Sequence, residues 1–240
     1  MTLPRLEVLF RVGPASDTLT ARYDVGGASD SGDQTVTLDH GLYTFTALLT
    51  HMSSKVGAAV GGAIDFQWFS SRVFVEADNP SQVTWDHLAL RDWLGFAGDL
   101  ALATGWTAPA APPGVFYASL PWDDPAELGF VFQTRRWSPP GRTGGGATLL
   151  GSHRSWQTVV HVAGATDVAQ LRSVLRLLLR GRPARWWRNT ADNTAWATGN
   201  WDGYLDVVLD PGSRSLAEAF VSDVVQHQMT VPLAFVEWSP

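Results

Sequence analysis

The chain has 240 residues, 23 acidic against 17 basic, a formal net charge of −6, and 45% hydrophobic against 17% charged residues. A chain this apolar buries enough surface to offset the entropy of ordering, which excludes a disordered protein. An acidic balance excludes nucleic acid as the main partner, since such binders are basic overall. Cysteine is absent, which excludes a disulfide framework, a thiol nucleophile and any Cys-ligated metal or cluster.

The length suits one large domain or two of roughly 100–120 residues. Charge is uneven along it. Residues 1–120 carry 12 acids and 6 bases, whereas residues 121–240 carry 11 of each. Six of the bases lie between Arg172 and Arg188, and Lys55 is the single lysine. The amino terminus, MTLPRLEVLFRVGPASD, is too short and interrupted in its apolar stretch for a signal peptide, and no run approaches the ~20 apolar residues of a membrane helix.

In chain order, residues 6–12 predict a strand, 26–33 a polar loop, and 34–38 a short alternating strand. Asp39 is then placed to cap a helix over 41–59. Its stripe is Leu42, Phe45, Leu49, Met52 and Val56, and it stops at the glycines 61–62. A hairpin of 63–69 and 72–77 follows, with a turn at Asp78–Ser81, a short extended piece at 82–85 and a short helix at 86–94 ended by Gly95. Residues 104–125, rich in Gly, Ala and Pro without periodicity, predict an irregular arm. Strands are predicted at 128–136, 148–150 and 155–162 around a flexible loop at 138–146. A helix at 168–180, capped by Thr166 or Asp167, presents Val168, Leu171, Val174, Leu175 and Leu178 to a core. Further strands are predicted at 184–188, 203–209 and 224–238, where Pro232 suggests two pieces or an edge strand. The resulting class is α+β with β dominant: two β-rich domains, each with one amphipathic helix on a sheet. The domains are 1–104 and 126–240, with 105–125 as a linker or arm.

No phosphate loop, dinucleotide fingerprint, nucleophile elbow or HExxH motif is present, and the six histidines have no metal-type spacing. No catalytic residue, cofactor or metal is therefore expected, and the protein is expected not to be an enzyme. Asp123, Asp124, Asp192 and Asp202 are first suspects for a hydrolase only if the fold brings two of them together. The 12 tryptophans are the anomaly. Trp and Arg anchor protein interfaces. Trp186 and Trp187 are adjacent, so on a strand one of them faces away from its own core and needs a neighbour: a partner, a ligand or a second layer of the same fold. Arg182, Arg185, Trp186, Trp187 and Arg188 are thus candidates for an assembly surface, with the loop-flanking Trp106, Trp122 and Trp137. Flat indole faces also suit sugar stacking, so the alternative is a carbohydrate-binding module using exposed Trp.

Two stretches resemble proteins of tailed-phage tails. The helix at 41–59, the hairpin IDFQWFSSRVFVEADNP and VTWDHLALRDWLGFAGDLA resemble the plan of minor tail or baseplate proteins. GATLLGSHRSWQTVVHVAG, the helix after it and RGRPARWWRN are similar to distal-tail-type domains, in which an arginine-bearing strand precedes a crossover helix and a G-x-P-hydrophobic strand. The resemblance implies a non-enzymatic structural component of a tail tip or baseplate, located in the virion tail and assembled in the host cytoplasm. Its implied partners are copies of itself in a ring and other tail or baseplate proteins, with a host glycan as a further possibility, and with no membrane.

Overall fold

The computed structural model describes residues 4–69, 72–123, 126–137, 147–187, 204–222 and 230–238, and at 69, 126–137 and 147–153 the backbone alone. The fold is α+β and β-dominant. It divides into two compact units: Val8–Val115, and Met1–Glu7 together with Phe116–Pro240. The chain opens with β1 (Arg5–Val8), a strand of the second unit's sheet.

The first unit holds β2 (Phe10–Val12), β3 (Thr18–Arg22), β4 (Gln34–Thr37), β5 (Gly41–Tyr43), α1 (Phe45–Val60), β6 (Ile64–Phe69), β7 (Arg72–Thr84), α2 (Leu88–Leu94) and β8 (Leu100–Thr107). β2 pairs with β5. The main sheet runs β4-β3-β7-β6, with β8 also on β7. The helix predicted from residue 41 begins at Phe45, because residues 41–43 are drawn into pairing with Phe10–Val12. Thr44 is the cap, its Oγ1 accepting from the Ala47 N–H at 3.2 Å. The buried stripe of α1 is Phe45, Leu48, Leu49, Met52, Val56 and Val60, each contributing about 1.5–3 kcal/mol through burial. Leu42, counted in the predicted stripe, lies in β5 and is exposed. Ring contacts of Phe10, Phe45, Trp68 and Trp93 continue this core.

The turn predicted at Asp78–Ser81 is instead a bulge inside β7. Against β8 the register slips between Glu76 and Ser81. Pro80 accepts the Val25 N–H at 2.9 Å, and Asn79 Nδ2 donates to the Tyr23 hydroxyl at 2.8 Å, so the turn residues are satisfied within the layer. Residues 104–125 are not wholly irregular: they contain the end of β8 and all of β9 (Val115–Tyr117).

After β9 come β10 (Ala126–Trp137), β11 (Ala147–His161), α3 (Ala165–Leu179), β12 (Ala184–Trp187), β13 (Leu205–Leu209), α4 (Arg214–Ser222) and β14 (Thr230–Glu237). Their sheet has the order β10-β11-β14-β13-β12-β1-β9. Each unit therefore carries a second, shorter helix besides its long one. Asp167 lies in the first turn of α3 and receives hydrogen bonds from the Ala163 N–H at 3.0 Å and the Ser119 hydroxyl at 2.8 Å. Pro232 stands in an interior strand, opposite Val159 of β11. It is tolerated there because β13 pairs only with 235–237 of β14 and leaves the proline beyond its reach.

Gly95 closes α2 at φ 80°, and a Cβ there would lie 2.4 Å from the Ala110 carbonyl oxygen. Gly61 closes α1 at φ 68° with open space around it. Gly61→Ala is expected to lose about 1 kcal/mol, the left-handed cost alone, and Gly95→Ala at least about 2 kcal/mol, in urea unfolding.

Candidate functional site

β12 sorts the predicted residues by strand alternation. Ala184 and Trp186 point inward, and Arg185 and Trp187 outward. Trp186 is 1% exposed. Its ring lies 5.0 Å from Phe235 and 6.0 Å from Trp122, and Trp122 stacks at 5.9 Å on Phe116. Trp186 and Trp122, placed by sequence on an assembly surface, are core residues of this aromatic row. No acceptor among the described residues reaches the buried Trp122 Nε1–H.

The outward neighbours form a second row on the other face. Arg185 makes a two-pronged pair with Asp206, its cross-strand partner, at 2.8 and 2.9 Å. The Arg185 guanidinium also covers the Tyr204 ring at 3.7 Å. Trp187 lies beside Tyr204 and is covered by the Arg5 guanidinium, 3.7 Å from its centroid. Arg5 Nε sits 3.1 Å from Glu7 Oε1 as an ion pair rather than an aligned hydrogen bond, and Tyr117 donates to the same oxygen at 3.1 Å. Glu7 is fully buried. The neighbours that Trp187 requires are therefore side chains of its own sheet, Arg5 from the adjacent strand β1 and Tyr204 beside β13. Among described side chains no tryptophan is exposed, and the indole face of Trp187 nearest its neighbours is taken by arginine rather than left for a sugar. Burial opposes the charge on Arg185, but the hydrogen bonds and charge of Asp206 outweigh it and raise its pKa. Arg5, Glu7, Tyr117, Tyr204 and Asp206 were not singled out from sequence. The one available signal was Glu7, a carboxylate inside the apolar run LEVLFRV.

The remaining candidates are scattered. Arg182 follows α3, half-buried, and Arg176 and Arg180 precede it, both exposed. None of the three has an acidic partner among the described residues. Trp106 lies half-buried in β8, and its indole N–H donates to the Ala101 carbonyl at 2.7 Å, so it is tied to its own strand. Trp137 ends β10 opposite Ala147. Arg188 lies outside the described residues, as do Asp124, Asp192 and Asp202. Asp123 pairs with His161 at 2.9 Å, with both side chains partly in solvent.

β8 itself is the feature that sequence inspection passed over. It pairs with β7 alone among the described residues. Its sequence, LALATGWT, has neither charge nor proline, and Leu102 is 54% exposed. On the neighbouring strands Asp65 and Glu76 stand directly opposite each other, both exposed, and Glu76 has Gly105 of β8 on its other side.

No family model, curated protein or solved structure matches the chain. Among the described residues no group of His, Asp or Glu is placed to hold a metal ion, and no helix is long and apolar enough to cross a membrane.

Three carboxyls of the first unit are held low. The Arg22 guanidinium and the Gly26 and Gly32 N–H groups hold Asp30 far below the ordinary 3.8. A His40 hydrogen bond at 2.7 Å lowers Asp17, and Lys55 at 2.8 Å lowers Asp39. A folded pKa below the unfolded one gives stability that is present above the unfolded value and lost as pH falls through the folded one. The melting temperature is expected to drop as pH is lowered from about 5 to 2, and Asp30→Asn to make that drop shallower. Arg5→Ala strands a buried carboxylate and is expected to cost about 3 kcal/mol in urea unfolding. The double change Arg5→Leu with Glu7→Leu should recover much of that loss, and an equal loss in both variants would show that the pair is not what Arg5 provides.

Proposed function

We propose that the chain is a non-enzymatic structural component of a phage or phage-like tail tip or baseplate. It joins a ring or adaptor through contacts between protein surfaces. One observation carries the assembly part: β8 is an eight-residue edge strand with no charge and no proline, and no second strand pairs with it among the described residues. Proteins that stay single blunt such edges with charges, proline, bulges or a covering element, because unpaired N–H and C=O groups are a template for another chain, and of these β8 has only the register slips against β7. An edge left bare, beside a leucine 54% in solvent, suits a chain that is covered on assembly.

The tail part rests on the resemblance of element order: a capped helix, a hairpin, then a tryptophan and the LRDWLGF helix. The hydrolase reading has no support in the pairing of Asp123 with His161, which leaves no second carboxylate facing it among the described residues.

The test is the solution mass by light scattering from micromolar to near-millimolar protein, with negative-stain images of the same samples. A defined multimer or closed ring is expected, and Leu102→Lys with Thr104→Lys should weaken it at least about tenfold while leaving the circular dichroism unchanged. A monomer over the whole range would overturn the reading.

A further inference from the structure

We infer that the arginine ridge at the end of α3 docks on the acidic β6–β7–β8 sheet of a second copy of this chain, head to tail. The inference rests on the proposed assembly and names the surface that meets the open β8 edge.

Arg176 and Arg180 are one helical turn apart and exposed, and Arg182 follows them. Like charges at this spacing repel. No acid among the described residues relieves them, although α4, the helix packed on α3, carries Glu218. That glutamate is held by Arg214 at 3.0 Å. Arg172, on the same helix, is engaged differently: its Nε donates to the Phe220 carbonyl and its guanidinium covers the Phe220 ring. The dipole at the C-terminus of α3 favours this charge, but among the described residues the ridge has no acidic side chain to pair with.

The sheet carries the opposite surplus. Asp65 and Glu76 are direct cross-strand partners, a pairing that destabilises a sheet when the charges are alike. Asp78 is exposed two residues further along β7. Of the basic residues on this sheet, Arg22 is committed to Asp30 and Arg72 reaches the Ala108 carbonyl. The first unit has 11 acids against 5 bases, a net of −6, while the second has 12 of each.

Each surface is thus self-repelling, and each is relieved by the other. Gly105 places no side chain beside Glu76, so an approaching guanidinium meets the carboxylates and the unpaired carbonyls of β8 together. A helix laid over a bare edge is one of the ways proteins cover it. A contact of ridge on ridge is ruled out by repulsion, and a ridge-on-sheet contact repeated head to tail passes from copy to copy as a ring requires.

The experiment compares the wild type, Arg176→Glu with Arg180→Glu, Asp65→Arg with Glu76→Arg, and an equal mixture of the two variants, by light scattering at low and high salt. Each variant alone is expected to lose association at least about tenfold, the mixture to regain it by alternating copies, and the wild type to weaken as salt rises. Neutral versions, Arg176→Gln with Arg180→Gln and Asp65→Asn with Glu76→Gln, cover the case of a reversal that fails to fold. They should weaken association while raising the melting temperature of the separated chain. Association unchanged in the reversed and neutral variants overturns the inference and leaves the assembly reading standing. So does loss in both without rescue on mixing. A wild type that never associates overturns both.

Discussion

Two tryptophans side by side on one strand cannot share a core. The sheet of the second unit is organised around the way Trp186 and Trp187 are parted. Trp186 closes an aromatic row with Phe116, Trp122 and Phe235 on the inner face. Trp187 turns out and is capped by Arg5, and Arg5 in turn neutralises the buried Glu7. A carboxylate with no solvent contact needs both a charge and a donor, and Arg5 and Tyr117 supply them from β1 and β9. Next along the sheet, Asp206 pairs with Arg185, whose guanidinium covers Tyr204. Arg5 and Glu7 of β1 therefore belong to the second unit's sheet, held by what Trp187 needs.

This arrangement changes what the excess of tryptophan means. Half-exposed indoles on a sheet face suggest a sugar platform, because a ring face is free to stack. On the outer row the Arg5 guanidinium already covers Trp187, and that of Arg185 covers Tyr204. An Arg over an indole gains quadrupole attraction without losing its hydrogen-bonding edge, so it can serve the ring and the carboxylate together.

Much of the fold was legible from local pattern. The periodicity of Phe45, Leu49, Met52 and Val56 located α1, and Gly95 located the end of α2. The misses came from non-local pairing. Asp39 is as good a cap residue as Thr44, but pairing of Gly41–Tyr43 with β2 moved the helix start past it. Asn79-Pro80 is a turn signal in isolation, yet β3 and β8 hold both sides of β7 and turn it into a bulge. α4 follows Asp210 and Pro211, a start signal that a nine-residue segment with two buried side chains makes faint. The site was less legible than the fold. Its outer row joins residues 5, 7, 117, 187, 204 and 206, and no sequence window contains them.

The contrast between the two arginine groups bears on assembly. Arg5, Arg172 and Arg185 each meet a ring and an acceptor within their own unit, and the cost of ordering a long side chain is offset by those contacts. Among the described residues Arg176 and Arg180 meet neither, and they stand one turn apart, a spacing at which like charges repel. Asp65 faces Glu76 on another surface, so each pair brings like charges together, and the two pairs are of opposite sign. The uncharged edge of β8 adjoins the acidic pair, so what is unfavourable alone is gathered where an arginine-bearing helix would find carboxylates and open backbone acceptors together.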